Sequence, residues 1–233
     1  METTRALLEA LSITEQDNVI ELAPGFGSTA RLIFEREPQS YVGLERDKNA
    51  AAFARRHIKE FPDAEILVGT ADESGLNSGS ASVVIGEAML TMNPEQHKKQ
   101  IIGEAFRLLQ PGGRYGIHEL CIIPDTITQA KHDEIKKALS SSIHVGARPL
   151  PSAGWQGLME DAGFTIEVEG ITPMHLLRPK RLIEDEGVLG SLKIAKNIAV
   201  NPAARKRVLA MRKVFERYQN HIAAIHMVGS KPW

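Results

Sequence analysis

The sequence predicts an α/β fold built on a seven-stranded, mostly parallel sheet with helices on both faces, and three features support this. Short apolar runs alternate with amphipathic segments from Val19 to Ile123, a pattern that gives right-handed crossovers between parallel strands. The runs are continuously apolar, as expected for strands that are covered on both faces. A Pro-Gly-x-Gly turn directly follows the first run, at residues 24–27.

The first half of the chain contains five predicted strands and four predicted helices. The strands cover residues 19–22, 41–45, 65–69, 83–89 and 114–123. The helices cover residues 3–12, 28–36, 48–59 and 96–109, and the second stops before Pro38, which disfavours helical backbone at the residue ahead of it. We expect the Pro-Gly-Gly at 111–113 to end the fourth helix, with a glycine at the cap.

The second half departs from this alternation. Helices are predicted at 128–142 and 155–162, a strand at 164–170, a mostly helical stretch at 180–218 broken near Pro202, and a final antiparallel strand at 222–228. We therefore expect one domain over residues 1–233 with two helical cover insertions, at about 124–154 and 178–219. The second insertion is expected either to cover part of the substrate pocket or to form a homodimer contact.

The composition argues against several classes of function. With 28 Lys and Arg against 29 Asp and Glu, the net charge is −1, so no strong field attracts nucleic acid or an anionic membrane. Cys121 is the only cysteine, which rules out a disulfide framework and a thiolate metal cluster. No stretch approaches the length of a transmembrane helix. We expect a cytoplasmic protein with no nucleic-acid partner, no membrane insertion and no metal.

The turn after the first strand is the first candidate binding feature. Gly25 and Gly27 carry no side chains, so a ligand can approach the backbone closely. The carboxyl ends of the strands are where open parallel sheets bind their ligands. The alternative is a tight strand-to-helix turn that binds nothing.

Two acidic residues narrow the choice of ligand. Glu45 ends the second strand, 18 residues after Gly27, where a carboxylate can accept hydrogen bonds from both hydroxyls of a ribose. The alternative is a solvated acid within the charged stretch Glu-Arg-Asp-Lys. Glu21 precedes the turn, where it would repel a pyrophosphate and suit a cation. With the third glycine of a dinucleotide fingerprint missing, these acids favour S-adenosylmethionine over NAD.

Four segments carry a resemblance to a known family. They are "ELAPGFG", "YVGLERD", "GTADESGLNSGSASVVIGEAML" and "EAFRLLQPGGRYGIHEL", of which the last is the most specific. Together they resemble the class I S-adenosylmethionine-dependent methyltransferases, and the chain looks closest to the branch similar to ubiquinone and menaquinone biosynthesis enzymes. The resemblance covers roughly residues 19–120 by motif and residues 155–233 more loosely. It implies a Rossmann-like fold.

The resemblance also implies a set of cofactor-binding residues. They are Glu21, Ala23, Pro24, Gly25 and Gly27 at the methionine end, Glu45 at the ribose, Arg46, Ala71 and Asp72 around the adenine, and Glu87 and Ala88 on the sulfonium side. The chain departs from the family pattern at four places, one of which is Arg46, where the family often has an apolar residue. Ala23 replaces a glycine, Thr70 stands where an Asp is usual, and Ala81-Ser82 stands where Phe-Asp is usual.

Candidate catalytic residues lie beyond the cofactor motifs. Methyl transfer from a sulfonium is an in-line displacement, which needs a base only if the acceptor holds a proton. His118 and Glu119 end the fifth strand on opposite faces, so at most one faces the site; a structural histidine and a capping acid are the alternatives. His144 and Arg148 are expected to contact the acceptor, unless they lie in a surface loop. His97 is expected to be structural or exposed.

These observations together predict a methyltransferase that moves a methyl group from S-adenosylmethionine to a small-molecule acceptor and releases S-adenosylhomocysteine. One alternative is a module that binds S-adenosylmethionine without catalysis. A less favoured alternative is an NAD(P)-dependent Rossmann enzyme.

Overall fold

A single mixed sheet organises the chain, whose computed structural model describes residues 2–143, 146–173 and 202–233. Its strands are β1 (Asn18–Leu22), β2 (Ser40–Glu45), β3 (Ala64–Val68), β4 (Ala81–Glu87), β5 (Leu109–Ile122), β6 (Leu150–Pro151), β7 (Thr165–Pro173) and β8 (Ile222–Ser230). They follow the order β3-β2-β1-β4-β5-β8-β7, with the two-residue β6 paired to β5. Strand β8 is antiparallel to both of its neighbours, β5 and β7, and the other pairings among these strands are parallel. The predicted parallel sheet with an antiparallel last strand is confirmed.

The strand order places a switch point between β1 and β4. The chain moves from β1 outward to β2 and β3, and then crosses back to add β4 on the other side of β1. The carboxyl ends of β1 to β5 meet at one edge of the sheet, and a crevice opens there between the diverging connections. This edge is called the carboxyl edge below.

Helices cover both faces of the sheet. The helices of the described ranges are α1 (Glu2–Leu11), α2 (Ser28–Phe34), α3 (Lys48–His57), α4 (Glu95–Leu108), α5 (Gln129–Ile143), α6 (Ser152–Asp161) and α7 (Pro202–Arg217). One core forms beneath α1, α2 and α3, and includes Leu7, Ile33 and Ala54. The other forms beneath α4 and α6, and includes Ile102 and Trp155. The alternating side chains of each strand therefore face two different cores.

The described helices of the two predicted insertions meet beyond the end of β5. Residues Ile135 and Leu139 of α5 pack with Phe215 of α7 and with Ile122 and Ile222 in a third, smaller core. Helix α7 begins at Pro202, a position where proline is well tolerated. The predicted helix over residues 180–201 lies outside the described residues. None of the helices in the described ranges is both long and apolar enough to cross a bilayer.

The Pro-Gly-Gly segment does not cap α4, contrary to expectation. Helix α4 ends at Leu108, and Leu109 is already extended, with φ −76° and ψ 139°. The segment lies within β5, where the pairing with β4 changes register. Gly112 has a positive φ of 75°, and a Cβ there would collide with the indole of Trp233, at 2.6 Å. The glycines therefore allow the irregular strand backbone at this register shift, next to Trp233.

Candidate functional site

A cavity of about 340 Å³ opens at the carboxyl edge, beside the switch point. Its lining includes six of the residues implied for the cofactor: Ala23, Glu45, Arg46, Ala71, Asp72 and Ala88. Met89, Met92 and Asn93 from the connection after β4 close another side, together with His97 from the first turn of α4. The ends of four strands and one helix thus form a single crevice of the size of a small ligand site.

The glycine turn lies next to this cavity: Ala23 lines it, whereas Pro24, Gly25 and Gly27 are outside its lining. Gly25 and Gly27 have positive φ values of 56° and 79°, which other residues adopt only at a cost. Ala23 has a φ of 57° without being a glycine, and its N–H donates to the Leu44 carbonyl at 2.8 Å. Such strain is usual at ligand sites. The turn predicted from the sequence is therefore present, and its tight geometry requires the two glycines.

Glu45 connects the glycine turn to the end of β2. Its carboxylate is 6% exposed and accepts hydrogen bonds from the N–H of Gly25 at 3.0 Å and the N–H of Asp47 at 2.9 Å. An ionised carboxylate has about four acceptor positions, so two remain for a ligand. Since Glu45 lines the cavity, it can still accept from two neighbouring hydroxyls.

Glu21 lies beneath the turn, outside the cavity lining, and it differs from the expected anion. Its side chain is 4% exposed, and the hydroxyl of Tyr41 donates to Oε2 at 2.6 Å. Burial raises the pKa of Glu21 to about 8, helped by the charges of Glu87 and Glu45 and opposed by the Tyr41 hydrogen bond. The carboxyl group is therefore mostly protonated at neutral pH when no cation lies nearby. Without a cation nearby, Glu21 therefore lacks the negative charge that its place before the turn predicts, and its role toward the cofactor stays a prediction.

Asp72 and His97 face each other across the far end of the cavity. His97 Nε2 lies 3.2 Å from Asp72 Oδ2. Burial alone would raise the pKa of Asp72, but hydrogen bonds from its own N–H, His97 and the Thr70 hydroxyl outweigh it and lower the pKa. Asp72 is therefore an ionised acceptor at neutral pH. His97, expected to be structural or exposed, has a side chain that is 34% exposed and lines the cavity.

A row of three polar side chains crosses neighbouring strands at the level where β4 ends. Glu87 of β4 pairs with His118 of β5, and His118 pairs with His226 of β8. On β7, Gly170 pairs with His226, and a Cβ at that glycine would collide with the imidazole. The row lies on the sheet face covered by α1. Glu87 immediately precedes Ala88, so the row begins beside the cavity.

The row contains buried polar atoms that the described residues leave without partners. Glu87 Oε2 accepts from the hydroxyls of Thr4 at 3.1 Å and Thr29 at 3.4 Å, and it lies 3.5 Å from His118 Nδ1. Glu87 Oε1 and the Nδ1 atoms of both histidines have no hydrogen-bond partner in the described part of the chain. Burial and the neighbouring His118 lower the pKa of His226. Such unpaired buried groups are typical of functional sites.

Glu119 is not in contact with this row, and the structure contradicts a catalytic role for it. It lies on the opposite face of β5 from His118 and is 2% exposed. Its carboxylate accepts from the N–H groups of Met89, Leu90 and Thr91 and from the Thr91 hydroxyl, over 2.6–3.0 Å. Burial raises its pKa, and these hydrogen bonds oppose the rise. Glu119 fixes the connection after β4 and is a structural residue.

The remaining candidates have separate outcomes. His144 lies outside the described residues. Arg148 donates from its guanidinium to the Gly146 carbonyl at 3.2 Å and from its N–H to the Thr91 carbonyl at 2.7 Å, which ties the first cover insertion to the connection after β4. Cys121 is buried, and burial raises the pKa of its thiol to about 12, so it is no nucleophile at neutral pH. The described residues contain no group of ligands suited to a metal ion.

Sequence reasoning overlooked two residues of this site, His97 and His226. His226 joins the site only through its pairing with β5 and β7, which the local sequence does not reveal. The signal for His97 was its position in the first turn of the helix that follows β4, because the amino ends of such helices face the carboxyl edge.

The comparisons agree with this geometry. The sequence of residues 19–113 matches the family described as Methyltransferase domain. An uncharacterized protein of Haemophilus influenzae is 32% identical over 221 residues, or 94% of this chain and 86% of that protein. Ribosomal RNA small subunit methyltransferase A of Maridesulfovibrio salexigens is 31% identical over 85 residues, 35% of this chain and 31% of that protein.

Among solved structures, phosphoethanolamine N-methyltransferase 2 of Haemonchus contortus in complex with S-adenosyl-L-methionine has a TM-score of 0.74 at 16% identity. The alignment covers all of this chain and 53% of that one. At this identity the likeness concerns the fold alone.

The fold and the site define an enzyme with a nucleoside-binding crevice at the switch point of a doubly wound sheet. The chain belongs to the class I S-adenosylmethionine-dependent methyltransferases. It is an enzyme, and S-adenosylmethionine is its cofactor. The residues fit that group, because Glu45 keeps two acceptor positions open to the cavity and the glycine turn leaves bare backbone next to it.

Proposed function

We propose that this enzyme transfers the methyl group of S-adenosylmethionine to a small-molecule acceptor and releases S-adenosylhomocysteine. The observation that carries the proposal is the cavity at the carboxyl edge, in which a buried carboxylate, Glu45, retains free acceptor positions beside the glycine turn. The bound cofactor supplies an activated methyl group on a sulfonium. The contribution of the protein is therefore mainly orientation and the exclusion of water.

The residues of the cavity divide the recognition of the cofactor between them. Glu45 would accept hydrogen bonds from the ribose hydroxyls. At the far end, the backbone N–H of Ala71 and the carboxylate of Asp72 would meet the edge of the base, with the stem of Arg46 along its face. Ala23, Pro24, Gly25 and Gly27 would follow the methionine end. Each role uses an atom that lies in or beside the cavity lining.

The acids beneath and beside the turn would favour the cationic end of the cofactor. Glu21, Glu45 and Glu87 lie near the ends of three neighbouring strands, and the charges of Glu45 and Glu87 raise the pKa of Glu21. A cation near this group would stabilise the ionised form of Glu21 and reduce its pKa. Glu87 and Ala88 would lie on the sulfonium side of the site.

His118 would be the base for an acceptor that must lose a proton. Its side chain is 19% exposed and lies beside Glu87, which would stabilise the imidazolium after the proton arrives. The proton would move from the acceptor to a ring nitrogen of His118 as the methyl group is transferred. Glu87 would hold the ring in place. Glu119 has no part in this step because its carboxylate is occupied on the other face of β5.

The charge distribution supports a small molecule over RNA as the acceptor. The carboxyl edge carries two glutamates, Glu45 and Glu87, besides the buried Glu21, and the chain has a net charge of −1. Nucleic-acid enzymes usually present a basic surface to the phosphate backbone. The partial similarity to a ribosomal RNA methyltransferase makes RNA the competing acceptor that an experiment must include.

The test is a turnover screen that measures S-adenosylhomocysteine release from S-adenosylmethionine. The panel contains phenols, amines, thiols and quinol precursors, and a separate arm contains small-subunit ribosomal RNA. We expect release with one class of small molecule, loss of release in Glu45→Gln, and no release with RNA. Release with RNA alone would contradict the proposed acceptor. Cofactor binding without release in any arm would favour a binding module.

A further inference from the structure

The first turn of α4 presents His97 to the cavity in a fixed orientation. His97 and Ile101 are one turn apart on the same side of the helix, and both line the cavity. The next residue, Lys98, is 1% exposed; its Nζ donates to the Arg148 carbonyl at 2.5 Å and lies over the indole of Trp155. Because this buried lysine fixes the rotation of α4, the imidazole of His97 remains directed at the cavity.

The imidazole meets one oxygen of Asp72. The 3.2 Å distance between His97 Nε2 and Asp72 Oδ2 is within reach of a hydrogen bond. An ionised carboxylate only accepts hydrogen bonds, and it has more acceptor positions than the imidazole uses. Asp72 can therefore accept a further hydrogen bond from a ligand in the cavity, with its plane held by His97.

The two purine types differ at the edge that such a carboxylate would meet. A 6-amino purine presents an N–H donor, which satisfies the carboxylate. A 6-oxo purine presents a carbonyl oxygen at that position, which repels the half-buried carboxylate and offers it no donor there. A site built to hydrogen-bond a donor rejects an analogue that lacks it more strongly than an apolar site could.

We propose that His97 is a positioning residue that orients Asp72, and that this pair makes the cavity select a 6-amino over a 6-oxo purine. The inference rests on the cofactor site proposed above. It adds His97, which carries no role in that site, and it assigns a discrimination that Asp72 would make less well if its own N–H and the Thr70 hydroxyl alone held the carboxylate.

The test compares two ligands by titration calorimetry: S-adenosylhomocysteine and S-inosylhomocysteine, in which the 6-amino group is replaced by a carbonyl. We expect the wild-type chain to prefer the adenosyl compound by at least tenfold, the factor for about one hydrogen bond to a charged group. In His97→Ala the ratio of the two affinities falls toward the ratio in Asp72→Asn. In His97→Gln, whose amide can still donate a hydrogen bond to Asp72, the ratio lies between those of His97→Ala and the wild type.

Gln96→Ala is the matched control, because Gln96 is exposed on the same turn of α4 and lies outside the cavity lining. Its ratio stays at the wild-type value. A ratio near one in the wild type, or an unchanged ratio in His97→Ala, overturns the inference alone. Absence of heat with both ligands overturns the cofactor site itself, so the two failures are distinguishable. Thermal unfolding of each variant confirms that it is folded.

Discussion

The buried carboxyl group of Glu21 makes stability depend on pH. Its pKa is raised from 4.5 to about 8, so the folded chain keeps a proton that the unfolded chain releases within that window. The free energy of unfolding therefore falls as pH rises from about 4.5 to 8, by roughly 1.4 kcal/mol for each unit of pKa shift that is passed. Glu21→Gln removes this term, because the amide does not ionise.

We expect the Tm of Glu21→Gln minus the Tm of the wild type to increase as the pH rises from 5 to 8. Differential scanning calorimetry at several pH values measures the difference, in which the other titrating groups cancel. Glu65→Gln is the control, since Glu65 is an exposed strand residue. A difference in Tm that does not change with pH would show that Glu21 titrates at an ordinary pKa.

The row at the end of β4 leads to a prediction for His226. Burial and the neighbouring imidazole of His118 lower its pKa from 6.5. His118→Gln removes the like charge of the neighbouring imidazole but leaves His226 as buried as before. The pKa of His226 should therefore rise but stay below 6.5. Nuclear magnetic resonance of the histidine rings across a pH titration measures it. An unchanged value would mean that the two rings do not interact, and His57→Gln serves as the exposed control.

Individual residues also show which features of the site could be predicted from the sequence and which could not. Glu45 could be predicted because its distance from the glycine turn is fixed by one helix and one strand. The protonation of Glu21 could not, since it depends first on burial in the folded chain, against the Tyr41 hydrogen bond, and then on carboxyl groups from two other strands. His226 lies more than a hundred positions from His118, and only the β5–β8 pairing brings them together.

At the level of elements, the conformation of the connection after β4 depends on the side chain of Glu119. Glu119→Leu keeps a similar volume but leaves three buried N–H groups and the Thr91 hydroxyl without their acceptor. We expect a loss of about 3 kcal/mol in the free energy of unfolding by urea, because each unpaired buried donor is costly. Cofactor affinity should fall as well, since Met89 and Met92 line the cavity.

Thr91→Val is the matched control for this change. It removes one donor and leaves the acceptor in place, so the expected loss is smaller, about 1 kcal/mol. A Glu119→Leu variant with the urea midpoint of the wild type would refute the structural role given to Glu119.

The elements themselves were largely predictable, because apolar runs and helical spacing are local. The strands of the sheet lie close to their predicted positions, and the antiparallel last strand is found. The Pro-Gly-Gly segment shows where local reasoning fails. Proline and glycine after a helix usually mark its end, but here the segment continues into β5, with the exposed ring of Trp233 next to Gly112.

At the scale of the whole molecule, the order of the strands produces the site. Strands β2, β1, β4, β5 and β8 are neighbours, so their acids and histidines reach one edge from distant parts of the sequence. The cavity, which Glu45 and Asp72 line, lies on the β2 and β3 side of this edge. The row of Glu87, His118 and His226 runs from β4 to β8 on the other side. This division suits a cofactor on one side and its acceptor on the other.

The most direct test is calorimetric titration of S-adenosylhomocysteine into the wild-type chain, Glu45→Gln and Glu65→Gln. The account predicts one site per chain in the wild type and in the exposed control. It predicts at least tenfold weaker binding in Glu45→Gln, since the amide replaces an acceptor of both ribose hydroxyls and leaves the Gly25 and Asp47 N–H groups poorly paired. No heat with the wild type, or equal affinity in Glu45→Gln, would contradict it.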